Sequence, residues 1–279
     1  GSAGKTYIAI LIALVVALGA AFLELPTRMR SVLFVDFESN EQVFRRRLNR
    51  LARGMGLGEI PVELILYWNA EGIPLPDCID AIRREVASKN IGFVIIDSAS
   101  AACGDDPNKA EVAQRYFNSL AKLNVTTLST AHITKAGDTE KPHGSGTWHN
   151  RARRTWYVHR VQEEESDVLD IGLYCRKVND GPRPRPIGLR LVFDGLSGKV
   201  TTSRQDLREV PELNERRGPK ALILDALKDG WHSVEEIAEE IGATEGSVRT
   251  TLNNSPQMFI RKEEVTPGRG KRVYWGRKA

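Results

Sequence analysis

The sequence is short of cysteine, of aromatic residues and of any marked excess of charge. Its three cysteines, Cys78, Cys103 and Cys175, stand far apart in 279 residues. An odd, scattered set offers neither a disulfide framework nor a zinc-ligand spacing, and reads as reduced thiols in a cytoplasmic protein. Lys and Arg number 40 against 36 Asp and Glu, so the net charge of +4 implies no nucleic-acid partner by itself; only local clusters can. No internal repeat or low-complexity tract occurs. Hydrophobic residues at 41% and charged residues at 27% exclude a wholly disordered, collagen-like or coiled-coil chain. The one long uncharged run, Tyr7 to Leu23, has seventeen residues. That approaches a membrane span or a signal-peptide core. The run is nevertheless rich in Ala, follows Gly4-Lys5-Thr6 directly and leads into a strand-like segment. It is read as a helix buried between a sheet and other helices, apolar nearly all round, with no membrane partner.

The first 200 residues alternate helix-like and strand-like segments. Helices are expected at 5–23, 40–55, 76–89 and 109–122, and strands at Val32–Phe37, Leu64–Trp68, Phe93–Ile96 and Val125–Ala131. This alternation implies an α/β unit with a mainly parallel sheet covered by helices on both faces. From about residue 154 the runs TWYVHRV, VLDIGLYCR and IGLRLVFD predict antiparallel hairpins that extend the sheet. Residues 201–217 are polar, without a sustained apolar period, and read as a linker. Residues 218–279 read as a small separate unit of three helices and a two-stranded ribbon. Ser233, with Glu236 three residues on, marks a capping box for its second helix.

The chain opens GSAGKT. Residues 1–6 fill the last six positions of the phosphate-loop pattern G-x-x-x-x-G-K-[ST]. Gly1, Ser2, Ala3, Gly4, Lys5 and Thr6 would cradle ATP phosphates on backbone N–H groups at a helix N-terminus. Lys5 would reach the terminal phosphates and the Thr6 hydroxyl would ligand Mg²⁺. The competing reading is a Gly1-Ser2 cloning scar and a chance AGKT. The pattern's first glycine and its strand would lie upstream of Gly1, so a chain starting here is expected to bind nucleotide poorly.

In a parallel α/β sheet, ligands bind beyond the carboxyl ends of the strands. SVLFVDFESN sets Glu38 just past one apolar strand, and IGFVIIDSAS sets Asp97 at the end of another. Asp97 then suits an Mg²⁺-binding carboxylate and Glu38 a general base for the attacking water. Asp36 remains open as the functional acid in place of Glu38. A third strand, NVTTLSTA, runs into His132, which sits where a sensor of the terminal phosphate would lie.

Taken together, these segments resemble the RecA-like P-loop ATPases of the plasmid RepA and DnaB-type replicative helicase group, including phage and mobile-element members. The pieces that carry the resemblance are GSAGKT, SVLFVDFES, FRRRLNRLARGMGL, VIIDSASA, AHITKAG, HGSGTWHNRARRTWYVHR and CRKVNDGP, across about residues 1–195. The resemblance implies that Glu38 activates water, Asp97 serves as the Walker B acid and His132 as the sensor. It implies that Gly144, Ser145, Arg151 and Arg154 face a central channel or a neighbouring subunit, with single-stranded DNA as the partner. It also implies a homo-oligomeric ring, a hexamer for example. Members of the group send a cation into the next subunit's ATP site from a Lys-x-Arg pattern before a Gly-Pro turn. Here Lys177 matches, while Asn179 stands in place of the Arg, so that role falls on Lys177, helped by Arg176.

Two basic regions remain. Arg45, Arg46, Arg47, Arg50 and Arg53 share one helix and read as a solvated face or a subunit contact. The C-terminal unit resembles a winged helix-turn-helix. Its third helix would offer Ser247, Arg249, Thr250 and Asn253 to a duplex major groove, with Arg269, Lys271 and Arg272 at the wing tip on phosphates. Glu235, Glu236, Glu239 and Glu240 make the second helix acidic, which keeps a protein-interaction wing open. The sequence therefore supports an Mg²⁺-dependent, ATP-hydrolysing DNA motor. The rival is a DNA-binding regulator whose RecA-like part scaffolds assembly and hydrolyses little.

Overall fold

The computed structural model describes residues 4–58, 60, 63–133, 140–266 and 270–278. The chain divides into a unit of residues 1–213 and a unit of residues 214–279.

The first unit begins with helix α1 (Lys5–Leu18), followed by β1 (Ser31–Asp36), α2 (Glu41–Gly54), β2 (Ile65–Asn69), α3 (Leu75–Ser88) and β3 (Ile91–Asp97). Next come the short α4 (Ala99–Ala102), α5 (Ala110–Ala121), β4 (Thr126–Ser129) and α6 (Thr147–Arg151). The strands β1 to β4 pair in parallel in the order β2-β1-β3-β4. Along β1, Val32 and Phe34 join one core and Leu33 and Val35 the other. The near-continuous apolar runs thus reflect a sheet buried on both faces. α1 and α2 cover one face; α3, α4 and α5 cover the other. α1 is shorter than its apolar run: Gly19, at φ 64°, caps it with an N–H to the Val15 and Val16 carbonyls. Among the described residues no helix is long and apolar enough to cross a membrane.

The strands after α6 do not extend that sheet. β5 (Arg154–Val161), β6 (Val168–Val178), β7 (Ile187–Phe193) and β8 (Val200–Gln205) form a second, antiparallel sheet in sequence order. One of its faces packs Leu169, Ile171, Leu173 and Leu189 into the core shared with α1. The other is covered by Leu207, Val210 and Leu213, near and within α7 (Pro211–Asn214). Residues 201–217, expected to be a linker, are therefore largely structured. Only Val200 and Gln205 of β8 are buried, so an edge strand with polar outward residues carries no apolar alternation to read.

The α2 arginines divide: Arg46 and Arg53 are exposed to solvent, whereas Arg45, Arg47 and Arg50 pack against their own chain. Arg47 lies over the Tyr7 ring at 5.7 Å and Arg50 over Phe193 at 5.8 Å, while Arg45 pairs with Glu41 at 3.1 Å. Arg50 also donates to the Gly198 carbonyl.

The second unit contains α8 (Pro219–Ala226), β9 (His232–Ser233), α9 (Val234–Glu240), α10 (Glu245–Asn253), β10 (Phe259–Thr266) and β11 (Gly270–Arg277). Its three strands pair in the order β10-β11-β9. Ile223, Leu227, Ile237, Val248, Leu252, Phe259 and Trp275 form its own core. The Ser233–Glu236 capping box is present with both hydrogen bonds. β9 spans only two residues and so carries no period in the sequence.

Candidate functional site

Parallel pairing brings the carboxyl ends of β1, β3 and β4 to one edge. Asp36 and Asp97 are register partners there. The N-terminus of α1 reaches the same edge. Gly4 precedes α1 with φ 75°, and a Cβ on it would lie 2.8 Å from Ile171 Cδ1. Only glycine fits that left-handed, crowded position without strain.

The Thr6 hydroxyl donates to Asp97 Oδ2 at 2.8 Å, and the Thr130 hydroxyl donates to Asp97 Oδ1 at 2.5 Å. Asp97 is buried, and these two hydroxyls satisfy both of its oxygens. Burial holds the Lys5 ammonium below its ordinary pKa, while the charges of Asp97 and Glu38 oppose that shift. The cation therefore sits within the field of both acids.

Asp36 and Glu38, left open against each other, take different places. Asp36 is buried. Its Oδ1 accepts from the Glu38 and Ser39 backbone N–H groups at 3.0 and 2.9 Å, and its Oδ2 from the Tyr67 hydroxyl at 3.3 Å. Burial pushes the Asp36 carboxyl above the usual range, against those hydrogen bonds. Asp36 thus shapes the turn that presents Glu38. The Glu38 side chain is 40% exposed. Its Oε1 accepts from the Ser98 hydroxyl and meets His132 Nε2 at 3.2 Å. Ser98 and Thr130 were missed from sequence. Each adjoins a strand end already singled out, and a hydroxyl at those positions was the available signal.

His132 is fixed from behind: the His143 N–H donates to its carbonyl at 2.7 Å, and Ile133 bridges Pro142. Gly1, Ser2 and Ala3 lie outside the described residues, so the structure brings together Gly4, Lys5, Thr6, Glu38, Asp97 and His132 only.

Lys177, which the resemblance assigns to the next subunit's ATP site, is engaged here within its own chain. Its Nζ donates to the carbonyls of His149, Asn150 and Ala152 at 3.2, 2.6 and 2.7 Å. These are the unpaired carbonyls at the C-terminus of α6, which attract a cation. Arg176 pairs with Glu140 and lies over the Tyr157 and Tyr174 rings. Gly144 and Ser145 fold onto their own chain: the Ser145 N–H donates to the Pro107 carbonyl at 2.9 Å. A Cβ on Gly144 would lie 2.3 Å from that oxygen. Arg151 donates to Asn118 Oδ1 at 2.8 Å, and Arg154 opens β5 exposed to solvent.

In the second unit, Arg249 pairs with Glu245 at 3.0 Å on α10, and the Thr250 hydroxyl bonds the Gly246 carbonyl. Arg272 is exposed opposite Glu264. Arg269 lies outside the described residues, as does the Lys271 side chain.

Residues 1–138 match the sequence family described as an AAA domain. A KaiC-like protein from the hyperthermophilic archaeon Pyrococcus horikoshii is similar in structure. The TM-score is 0.50 at 15% identity, over 72% of this chain and 84% of that one. At that identity the likeness concerns the fold, which is RecA-like. No curated protein sequence matches the chain.

Proposed function

We propose, for a chain whose first unit carries an AAA-type, RecA-like ATPase domain, that the site hydrolyses Mg²⁺-ATP and that turnover is coupled to DNA. The observation that carries this is the convergence of Thr6 on Asp97, of Lys5 between Asp97 and Glu38, and of His132 on Glu38.

Water attacks the γ-phosphorus, the bond to the β,γ-bridging oxygen breaks, and ADP leaves. Glu38 takes the proton from water, a role worth about 10²–10⁴-fold. Lys5 offsets charge on the transferring phosphoryl group, and His132 holds Glu38 while able to donate to the phosphate. Among the described residues no cluster of three or more His, Cys, Asp or Glu exists to hold a metal. One carboxylate and one hydroxyl, Asp97 and Thr6, suit Mg²⁺, which takes few protein ligands beside the substrate's phosphates. When bound, the ion supplies charge neutralisation on those phosphates.

Arg151 and Arg154 are the cations of the first unit assigned to single-stranded DNA. Arg249 and Arg272, with Arg269 and Lys271, are those of a winged-helix-like second unit assigned to duplex. A homo-oligomeric ring with helicase-type work completes the reading. The rival, a DNA-binding regulator with a weakly active RecA-like domain, draws support from Lys177, whose ammonium is engaged within its own chain.

Phosphate release by the full-length protein, with and without single-stranded DNA, separates the two. DNA-stimulated turnover that Lys5→Ala abolishes supports the motor. Sequence-specific duplex binding without turnover supports the regulator.

A further inference from the structure

The outward face of the C-terminal sheet carries an aromatic surface that the proposed function does not use. Cross-strand partners share a face, so the pairs Ile260–Gly276 and Lys262–Tyr274 lie on one side. Phe259 and Trp275, on the other side, fill the core. The Trp231 ring lies flat on the outward side: a Cβ on Gly276 would meet its atoms at 3.0 Å. Lys262 Nζ sits 5.0 Å from the Trp231 ring centre and 5.8 Å from that of Tyr274, and pairs with Glu264 at 2.8 Å. Two rings are thus joined by one cation. Trp231 remains 40% exposed and Ile260 43%, so this face offers apolar surface to a partner.

Charge selects what covers them. On this face Lys262 and Arg272 stand beside Glu264, and residues 259–278 together hold seven Lys and Arg against two Glu, whereas α9 carries Glu235, Glu236, Glu239 and Glu240. The ribbon thus attracts a polyanion that α9 repels. An exposed indole and a half-buried tyrosine ring beside a cation match a polyanion whose bases are free to stack, the combination that holds single strands. Bases within a duplex are already stacked on each other.

We propose that the outward face of the β9–β10–β11 sheet, centred on Trp231, Lys262 and Tyr274, binds single-stranded nucleic acid by base stacking. This site shares with the proposed function only the class of partner; it needs neither ATP nor α10.

The test uses the full chain without nucleotide and follows fluorescence anisotropy of a labelled oligothymidylate. An abasic strand of the same length and a duplex serve as controls. Trp231→Ala weakens oligothymidylate binding about tenfold, the range seen when a stacking aromatic is removed. It leaves abasic binding near that of the unaltered chain. Trp231→Phe restores most of the loss, and Lys262→Ala weakens both strands. Equal affinity for the abasic and base-bearing strands, or an unaffected Trp231→Ala, overturns the proposal. So does equal loss in Trp231→Ala and Trp231→Phe, which marks a structural role, and so does preference for an acidic peptide. Duplex binding lost in Arg249→Ala without oligothymidylate binding leaves the DNA reading standing and this site refuted. Oligothymidylate binding without ATP turnover does the reverse to the ATPase reading.

Discussion

Two carboxylates two positions apart do different work because one side chain faces inward and the other outward. Asp36 spends its oxygens on the backbone of the Glu38 turn and on Tyr67, while Glu38 meets His132 and Ser98. An Asn at position 36 keeps the acceptor for the two N–H groups, so Asp36→Asn should retain turnover. Its stability follows from the sign of the Asp36 shift. With the folded pKa raised, the native carboxyl takes up a proton at a higher pH than the unfolded one. Burial of the charge therefore costs stability at neutral pH, and that cost disappears as pH falls through the raised pKa. Asp36→Asn should match or exceed the unaltered chain in urea at pH 7, with the gap closing toward pH 4. An advantage that grows on acidification would contradict this sign. His149 shifts the other way. Burial first, then Lys141, Lys177 and Arg183, lower its pKa. The unfolded state then binds the proton more readily, and His149→Gln should lessen the loss of stability below about pH 6.5, the free histidine value. Glu38 and Asp97 were legible as residues just past or at the end of apolar strands. Ser98 and Thr130 were not, because their hydroxyls acquire partners only when parallel register sets three strand ends side by side.

At the scale of elements, close approach decides more than composition. α2 runs so near β8 that a Cβ on Gly54 would lie 1.9 Å from the Val200 carbonyl oxygen. Gly54→Ala should destabilise the first unit by more than about 1 kcal/mol by overpacking, measured as a shift in the urea midpoint at unchanged slope. From sequence, Gly54 was only a helix end, and β8 was polar chain. The α6 terminus makes the same point: Lys177 belonged to a finger pattern, yet it closes the end of a five-residue helix. Lys177→Met leaves partly buried carbonyls without that donor and should cost about 1–3 kcal/mol. Faster amide exchange across residues 147–152 is the local signature. Exchange unchanged there would show that the ammonium does not hold α6.

For the whole molecule, the parallel sheet and its helices were readable because a sheet buried on both faces prints continuous apolar runs. The antiparallel sheet was read as strands but not as a separate sheet, since strand-to-strand pairing leaves no trace in periodicity. The C-terminal unit was legible from its capping box, glycine stops and ribbon. Its core is its own, so residues 214–279 expressed alone should unfold in one cooperative urea transition; a gradual, non-cooperative loss would contradict an independent core. At this scale everything depends on distant side chains closing round one triphosphate. Single-turnover phosphate release by Glu38→Gln in the full-length protein tests that most directly. The variant should hold Mg²⁺-ATP about as tightly as the unaltered protein, because glutamine keeps the size and the acceptor. It should release phosphate at least about 100-fold more slowly, as expected for loss of a general base. Phosphate release at the unaltered rate would mean that Glu38 does not activate the water and that the site works some other way.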